Sequence, residues 1–392
     1  MKPGVKGRRK VCVFTGTRAE YGLLKPVMEE ILISDSLELQ VVASGTHLLP
    51  EYGNTVDLIR ADGIRVDAAV HMLLMDDTKS AMATSMGLGI VRLTAAFNQL
   101  NPEIVVVLGD RFEALSAAVA AVYTGRVLAH ISGGDSLGGG FDEYTRHAIT
   151  KLAQVHFPST RESAERVRKL GERKQHIHTV GSTSLDVIRA LRPAFPGRDE
   201  VLGKYRLDPS RPLALVVYHP VTIGGEEGLE NLLAAVVDSG CSLVMTYPNA
   251  DPGSRKVIEE LVRFRGSGAG ESRSALVQSL PQKEYFSVMN VADFMIGNSS
   301  SGIIEAPYFG IPSIQVGSRQ VGRQSAENTL FSGTGYDEIR KAIDRALHDR
   351  AFRKKAKTCV NPYGGGGASK KIVKVLEDLV LDKDLLRKKI TY

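Results

Sequence analysis

Apolar and polar positions alternate along this chain in one repeating rhythm. Short apolar runs at 10–14, 39–43, 104–108, 127–131, 155–158 and 177–180 read as strands, and stretches of helical period fill the gaps, as at 24–33 and 112–123. Strands separated by helices pair in parallel, so the first half is expected to be a doubly wound sheet. Around 194–212 the rhythm lapses into proline, glycine and charge, the composition of an inter-domain crossing. It restarts with runs at 213–218, 242–246, 275–277, 292–296 and 313–316. The expected fold is α/β: two Rossmann-like domains facing a cleft, over 1–193 and 213–363, with 194–212 as linker. The helical pattern 369–380 has no strand of its own to cover, so residues 364–392 are expected to pack back on the first domain. Internal repeats are absent, and the only low-complexity tract is 364–367.

Composition narrows the class. A chain of 392 residues suits two cores, and 43% hydrophobic with 24% charged is globular usage. No apolar run is expected to reach the length needed to cross a bilayer, and the basic start leads straight into the first strand, so no membrane partner and a cytoplasmic location are expected. Cys12, Cys241 and Cys359 lie far apart, without the spacing of disulfide frameworks or zinc sites, so no metal is expected. The net charge of +6 is spread among acids, without a basic tail or nucleic-acid motif. A diphosphate-bearing small molecule accounts for it as well as a nucleic acid would.

Candidate chemistry gathers at strand ends, where open α/β sheets bind ligands. The richest stretch is 130–151, H-I-S-G-G-D-S-L-G-G-G-F-D-E-Y-T-R-H-A-I-T-K. Glycines let a substrate approach the backbone, and neighbouring carboxylates can divide acid and base roles. Asp135, Asp142 and Glu143 are the candidates; the plainer alternative is an Asp142–Arg146 surface pair four residues apart. Asp110, in G-D-R-F-E-A-L, is either a helix cap or a further acid. Arg18, in T-G-T-R-A-E-Y, stands at a helix mouth suited to anions; the alternative is a solvated arginine. A G-x-G-x-x-G fingerprint is missing there, so no dinucleotide cofactor is indicated. His219, in Y-H-P-V-T, either moves a proton or holds a phosphate, or is a satisfied core histidine. Asn249, in Y-P-N-A-D-P-G-S, contacts ligand or makes a turn. In G-N-S-S-S-G-I-I-E-A-P-Y-F-G, Ser300 and Ser301 suit a diphosphate and Glu305 a ribose; the alternative is a well-capped helix. Arg319 and Arg323 follow the next strand with Glu327 and Asn328.

Taken together and in order, G-T-R-A-E-Y-G, G-T-H-L-L-P-E-Y-G-N-T, G-D-R-F-E-A-L, D-E-Y-T-R-H-A-I-T-K-L, H-P-V-T, P-N-A-D-P-G-S, G-N-S-S-S-G-I-I-E and G-S-R-Q-V-G-R span nearly the whole chain. This set resembles the hydrolysing UDP-N-acetylglucosamine 2-epimerases of sialic-acid and related nonulosonic-acid synthesis. The resemblance implies the two-domain fold of B-type glycosyltransferases, homodimers or homotetramers, and no organic cofactor. It places Arg18, His219, Asn249, Ser300, Ser301 and Glu305 around UDP, with Arg111 and Arg319 as additions. It places catalytic carboxylates at Asp110 and in the pair Asp142 and Glu143. The implied reaction converts UDP-N-acetylglucosamine and water to N-acetylmannosamine and UDP. The alternatives are a related UDP- or GDP-diacetamido sugar, a non-hydrolysing epimerase, a B-type glycosyltransferase, or an inactive sugar-nucleotide-binding regulator. Many members carry H-I-E-G-G-E where this chain has H-I-S-G-G-D. Ser132 therefore replaces a family acid, and Asp135 is the expected substitute. The loop is one glycine longer than usual, and Gly365 stands where members often carry Asp.

Overall fold

The structure is a computed structural model. It describes residues 7–74, 76, 78–136, 141–221, 228–248, 253–278 and 280–392, apart from the Phe141 side chain. The chain divides into two compact units, one of 1–135, 141–187 and 366–392, the other chiefly of 188–365.

The first unit is built on β1 (Arg9–Thr15), β2 (Leu37–Ser44), β3 (Ala68–Val70), β4 (Ile104–Leu108), β5 (Val127–Ile131) and β6 (Val155–Phe157). They form a sheet of order β3-β2-β1-β4-β5-β6, parallel throughout. The run Ile104–Leu108 is buried at every position, as a strand covered on both faces must be. Chain order reverses between β1 and β4, which puts the loops after β1 and β4 at the switch point, with the loop after β5 next to them. The expected strand at 177–180 reduces to a single bridge between Ile177 and His156.

Helix Lys79–Leu100 is, by length and composition, long and apolar enough to cross a bilayer, which corrects the expectation that no apolar run reaches that length. Its inner stripe Ala81, Ser85, Gly89, Leu93 and Phe97 is buried, and Leu93 and Phe97 share a core with Val105, Val107 and Ala117. Packing is close at Gly89, where a Cβ would lie 2.5 Å from the Met72 methyl and 3.0 Å from Ser116 Cβ. Helix Ala368–Asp378 returns to this unit, where Ile372, Val373 and Leu376 join Leu24, Met28 and Ile31 in one cluster. Asp186 accepts from the first amides of that helix, Ala368 at 3.2 Å and Ser369 at 2.7 Å, satisfying donors with no intrahelical partner.

The second unit contains β7 (Leu213–Val217), β8 (Ser242–Thr246), β9 (Ser274–Val277), β10 (Phe294–Gly297), β11 (Ser313–Val316) and β12 (Thr329–Ser332). Their order is β12-β11-β10-β7-β8-β9, again all parallel. Strand β12 is not evident in the apolar pattern because its residues are only partly covered. The stretch read as a linker holds helix Arg198–Tyr205. Its Val201 and Leu202 are buried with Leu207 beside Leu213 and Leu215, so this stretch adds three side chains to that unit's core while most of its other residues stay at the surface.

Candidate active site

In the first unit, the loops after β4 and β5 meet the helix Phe141–Leu152 around one buried cation. Arg146 is 1% exposed in its side chain. A buried guanidinium must find acceptors. Its Nη1 donates to Glu143 Oε1 at 2.6 Å and to the Asp135 carbonyl at 3.3 Å, and its Nη2 donates to the Asp110 carboxylate. The side chains of Asp110 and Glu143 keep 27% and 20% of their surface, so both stay in contact with solvent. Asp110 is not the cap of the following helix; that position is Arg111, with no side-chain cap bond.

Glu143 is shared further. Its Oε2 is 3.1 Å from His147 Nε2, and His147 Nδ1 is buried without a hydrogen-bond partner among the described residues. The pair is a carboxylate–imidazole dyad four residues apart on one helix face. Asp142, one position away, is exposed. Asp135 is buried and accepts from Ser163 Oγ at 2.6 Å. Ser132 adopts φ +60, and its Oγ lies 3.2 Å from Ser159 Oγ. Its backbone therefore makes a left-handed turn that non-glycine residues seldom adopt.

Neutral histidines stiffen this frame. His130 is fully buried, Nε2 2.8 Å from the Gly109 carbonyl and Nδ1 3.2 Å from Thr150 Oγ1. A carbonyl only accepts, so Nε2 carries the proton and Nδ1 accepts from the hydroxyl. Burial holds this imidazole down to about 3. His47 bridges Thr15 Oγ1 at 2.9 Å and Thr55 Oγ1 at 2.8 Å and is lowered by burial to about 4. It fastens the loop after β2 beside the loop after β1. There Thr46 donates to the Gly16 carbonyl at 3.0 Å, and Gly45 is needed because a Cβ would sit 2.4 Å from that oxygen.

Arg18 opens the helix Arg18–Leu32 behind a reciprocal cap. Thr17 accepts from the Glu20 amide and Glu20 accepts from the Gly16 amide at 2.8 Å. Burial and the nearby Glu113 charge raise the Glu20 carboxyl to about 7. Arg111, expected on substrate, donates from Nε and Nη2 to the two oxygens of buried Glu113 at 3.1 and 3.2 Å. Its side chain keeps 32% of its surface, so the pair orients the guanidinium without withdrawing it from solvent.

In the second unit the candidates gather at the ends of β7, β10 and β11. Strand β10 ends at Gly297, φ +144, where a Cβ would overlap the Val217 carbonyl at 1.9 Å. Buried Asn298 then clamps the next strand end. Its Oδ1 accepts from the His219 amide at 2.7 Å and its Nδ2 donates to the His219 carbonyl at 2.8 Å. Arg319 and Gln320 both donate to the Asn298 carbonyl, at 3.0 and 3.1 Å, and Arg323 to Gln320 Oε1 at 3.2 Å. His219 is buried, and burial with the Arg319 charge lowers it to about 3.

Ser300 makes no side-chain cap bond, so its hydroxyl is not occupied by the helix start. The single helix expected after it is two short ones, Ser301–Ile304 and Ala306–Phe309, with Glu305 at the junction. Pro307 explains the break, since it lacks the N–H that a continuous helix needs. Glu305 is buried. Tyr285, on helix Gln282–Val291, is raised mainly by burial. It hydrogen-bonds Ser301, which acts the other way, and feels the Glu305 charge. Sequence reasoning missed Tyr285 and Asn298, because an isolated tyrosine in P-Q-K-E-Y-F has no spacing signal. Asn249 lies outside the described residues.

The buried imidazoles set a pH dependence. An unfolded chain takes up protons below pH 6.5 that His47, His130 and His219 refuse until about 4, 3 and 3. Stability is therefore expected to fall as pH drops below 6.5, each histidine contributing about 1.4 kcal/mol per pH unit, with Glu20, raised to about 7, offsetting one of the three. Urea unfolding at pH 7, 6 and 5 measures this; equal midpoints would refute it.

A family model for UDP-N-acetylglucosamine 2-epimerase matches residues 30–377. The chain is 32% identical over 386 residues to the UDP-N,N'-diacetylbacillosamine 2-epimerase (hydrolyzing) of Legionella pneumophila, covering 97% of this chain and 98% of that protein. It is also 32% identical over 345 residues to a UDP-N-acetylglucosamine 2-epimerase of Neisseria meningitidis, covering 86% and 87%. The crystal structure of the UDP-GlcNAc 2-epimerase from Neisseria meningitidis bound to UDP-GlcNAc superposes with TM-score 0.81 at 19% identity, over 94% of this chain and 100% of that one.

Proposed function

Since this chain belongs to the UDP-N-acetylglucosamine 2-epimerase family, we propose that it is a hydrolysing 2-epimerase. It converts UDP-N-acetylglucosamine and water to N-acetylmannosamine and UDP. The observation that carries the reading is the buried Arg146 holding two solvent-reachable carboxylates, Asp110 and Glu143, with His147 on the second. Inverting C2 by elimination and addition needs proton carriers on both faces of the sugar. One carboxylate removes the C2 proton as the C1–O bond breaks and UDP departs, leaving 2-acetamidoglucal. Water then adds its hydroxyl to C1 and gives up its other proton to solvent, while the second carrier delivers a proton to the opposite face of C2; exchange with solvent then resets both carriers. Asp110 is one carrier and Glu143, relayed through His147, the other. Asp135, already accepting from Ser163, holds the loop. Asp142 is the outer acid of the helix start.

The C2 proton is weakly acidic, so the leaving diphosphate must be stabilised. In the second unit Arg319 and Arg323 supply charge, and Ser300 and Ser301 supply hydroxyls. His219 enters as a neutral imidazole and gives a hydrogen bond in place of a charge. Glu305, with Tyr285 behind it, takes the ribose hydroxyls.

A second reading changes only the sugar. The relative from Legionella pneumophila, named for UDP-N,N'-diacetylbacillosamine, covers 97% of this chain against 86% for the Neisseria relative at the same identity. Ser132 also makes this loop unlike the usual family pattern. Proton NMR in deuterated water, with each nucleotide sugar in turn, tests both. Free UDP with N-acetylmannosamine deuterated at C2 is expected from UDP-N-acetylglucosamine. UDP release only from the diacetamido sugar favours the second reading, and a nucleotide-linked product would overturn hydrolysis.

A further inference from the structure

The first unit holds a second charged centre that the chemistry above does not use. Buried Glu172 accepts from Lys151 Nζ at 2.6 Å on Oε1, and on Oε2 from Lys388 Nζ at 2.7 Å and His156 Nε2 at 3.1 Å. Burial pushes this carboxyl up, but the bonds from His156, Lys151 and Lys388 outweigh it and hold it at about 2. Burial pulls the Lys388 ammonium down to about 8 against the attraction of Glu172. Both groups are therefore charged at pH 7.

Lys388 reaches two further acceptors, the carbonyls of Thr150 at 3.3 Å and of Ala153. These stand at the carboxyl end of helix Phe141–Leu152. The next amide that could serve Thr150, that of Gln154, donates instead to Leu128 in the sheet. The helix end thus exposes orphan carbonyls and the negative pole of its dipole, and an ammonium satisfies both. The first turn of the same helix carries Glu143, and its middle carries Arg146 and His147.

The lysine is delivered by a docked strap. Arg173 pairs with Asp384 at 2.6 Å and donates to the Arg387 carbonyl at 3.3 Å. Thr391 donates to the Gly171 carbonyl at 3.2 Å. Gly171, φ +86, leaves room for the Tyr392 ring, which a Cβ would approach to 2.8 Å.

We propose that Lys388 is a positioning residue for the acid–base centre. By fastening the carboxyl end of helix Phe141–Leu152 to Glu172, it fixes the rotation and axial placement of the helix, and with them Glu143, Arg146 and His147. The inference rests on the reading of those residues as acid–base machinery.

The test compares the full chain with Lys388→Met, which keeps the stem and removes the charge, and with Lys388→Arg, which keeps it. Lys388→Gln serves where the methionine variant does not fold. Two readouts are taken, amide hydrogen exchange by peptide and steady-state kinetics with the nucleotide sugar that the wild type hydrolyses. In Lys388→Met, exchange across 141–153 is expected to rise about tenfold while peptides of the second unit stay unchanged. The kcat is expected to fall about tenfold with KM and UDP affinity within about twofold, and arginine should restore most of it. Unchanged exchange at 141–153 overturns the proposal. So does faster exchange with wild-type kcat, or an equal loss of protection throughout the first unit. A wild type that releases no UDP from either sugar defeats the functional reading instead, and the exchange data then decide the fastening of the helix.

Discussion

Asp110→Asn is expected to slow UDP release by about a thousandfold, the usual cost of losing a positioned acid or base. UDP affinity should stay within about threefold. The amide is nearly isosteric, and its oxygen still accepts from Arg146 Nη2, so the loop after β4 keeps its place. What disappears is the ability to take or deliver a proton. The residues assigned to the nucleotide diphosphate and ribose in the second unit are untouched. Single-turnover UDP release and UDP titration calorimetry separate the two effects. Turnover within about tenfold of wild type would remove Asp110 from the mechanism. A parallel loss of UDP affinity would make it a binding group.

Arg146→Met is expected to do more damage by a different route. The substitution fills much of the same volume but removes the cation from a site where two carboxylates and the Asp135 carbonyl converge. Breaking a fully buried ion pair from one side costs about 3–5 kcal/mol; Asp110 and Glu143 keep contact with solvent, so a smaller loss of about 1–3 kcal/mol is expected. The urea midpoint should fall accordingly. The carboxylates should then resist ionisation, and the pH profile of any residual activity should move upward. Arg146→Lys should recover part of the stability and little of the rate, since an ammonium has no planar fork to hold three acceptors in fixed directions. A methionine variant as stable as wild type would show that the cluster is not held by this guanidinium.

The two substitutions separate placement from chemistry at one site. Asp110→Asn keeps the geometry and loses the proton carrier, whereas Arg146→Met keeps both carboxylates and loses what orders them. A surface pair between Arg146 and Asp142, the plainer expectation from their spacing, would leave the guanidinium in solvent and the rate indifferent to it. The structure instead buries Arg146 at the centre, with Glu143 and Asp110 as its acceptors and Asp142 exposed at the helix start.

Period and composition determined the alternation of β and α, hence the parallel sheets. Strands such as Ile104–Leu108 and Leu213–Val217 are apolar at every position because both faces are covered. Local chemistry also determined where polar residues could meet, since glycine and short polar side chains mark strand ends. Asp110, Glu143 and His219 were accessible to that reasoning, because each sits beside a strand end or on the helix that follows one. Only the tertiary structure decided which of them share a partner. Asp110 and Arg146 are 36 residues apart in the chain, and nothing in either local sequence encodes the approach of one loop to another. The same holds for Asn298 on the His219 backbone, 79 residues away, and for Tyr285 behind Ser301. It holds most for Lys388, an ordinary basic residue in sequence. Its role at the end of helix Phe141–Leu152 exists because the chain returns to the first unit. That return brings a charge to carbonyls that the helix itself cannot satisfy.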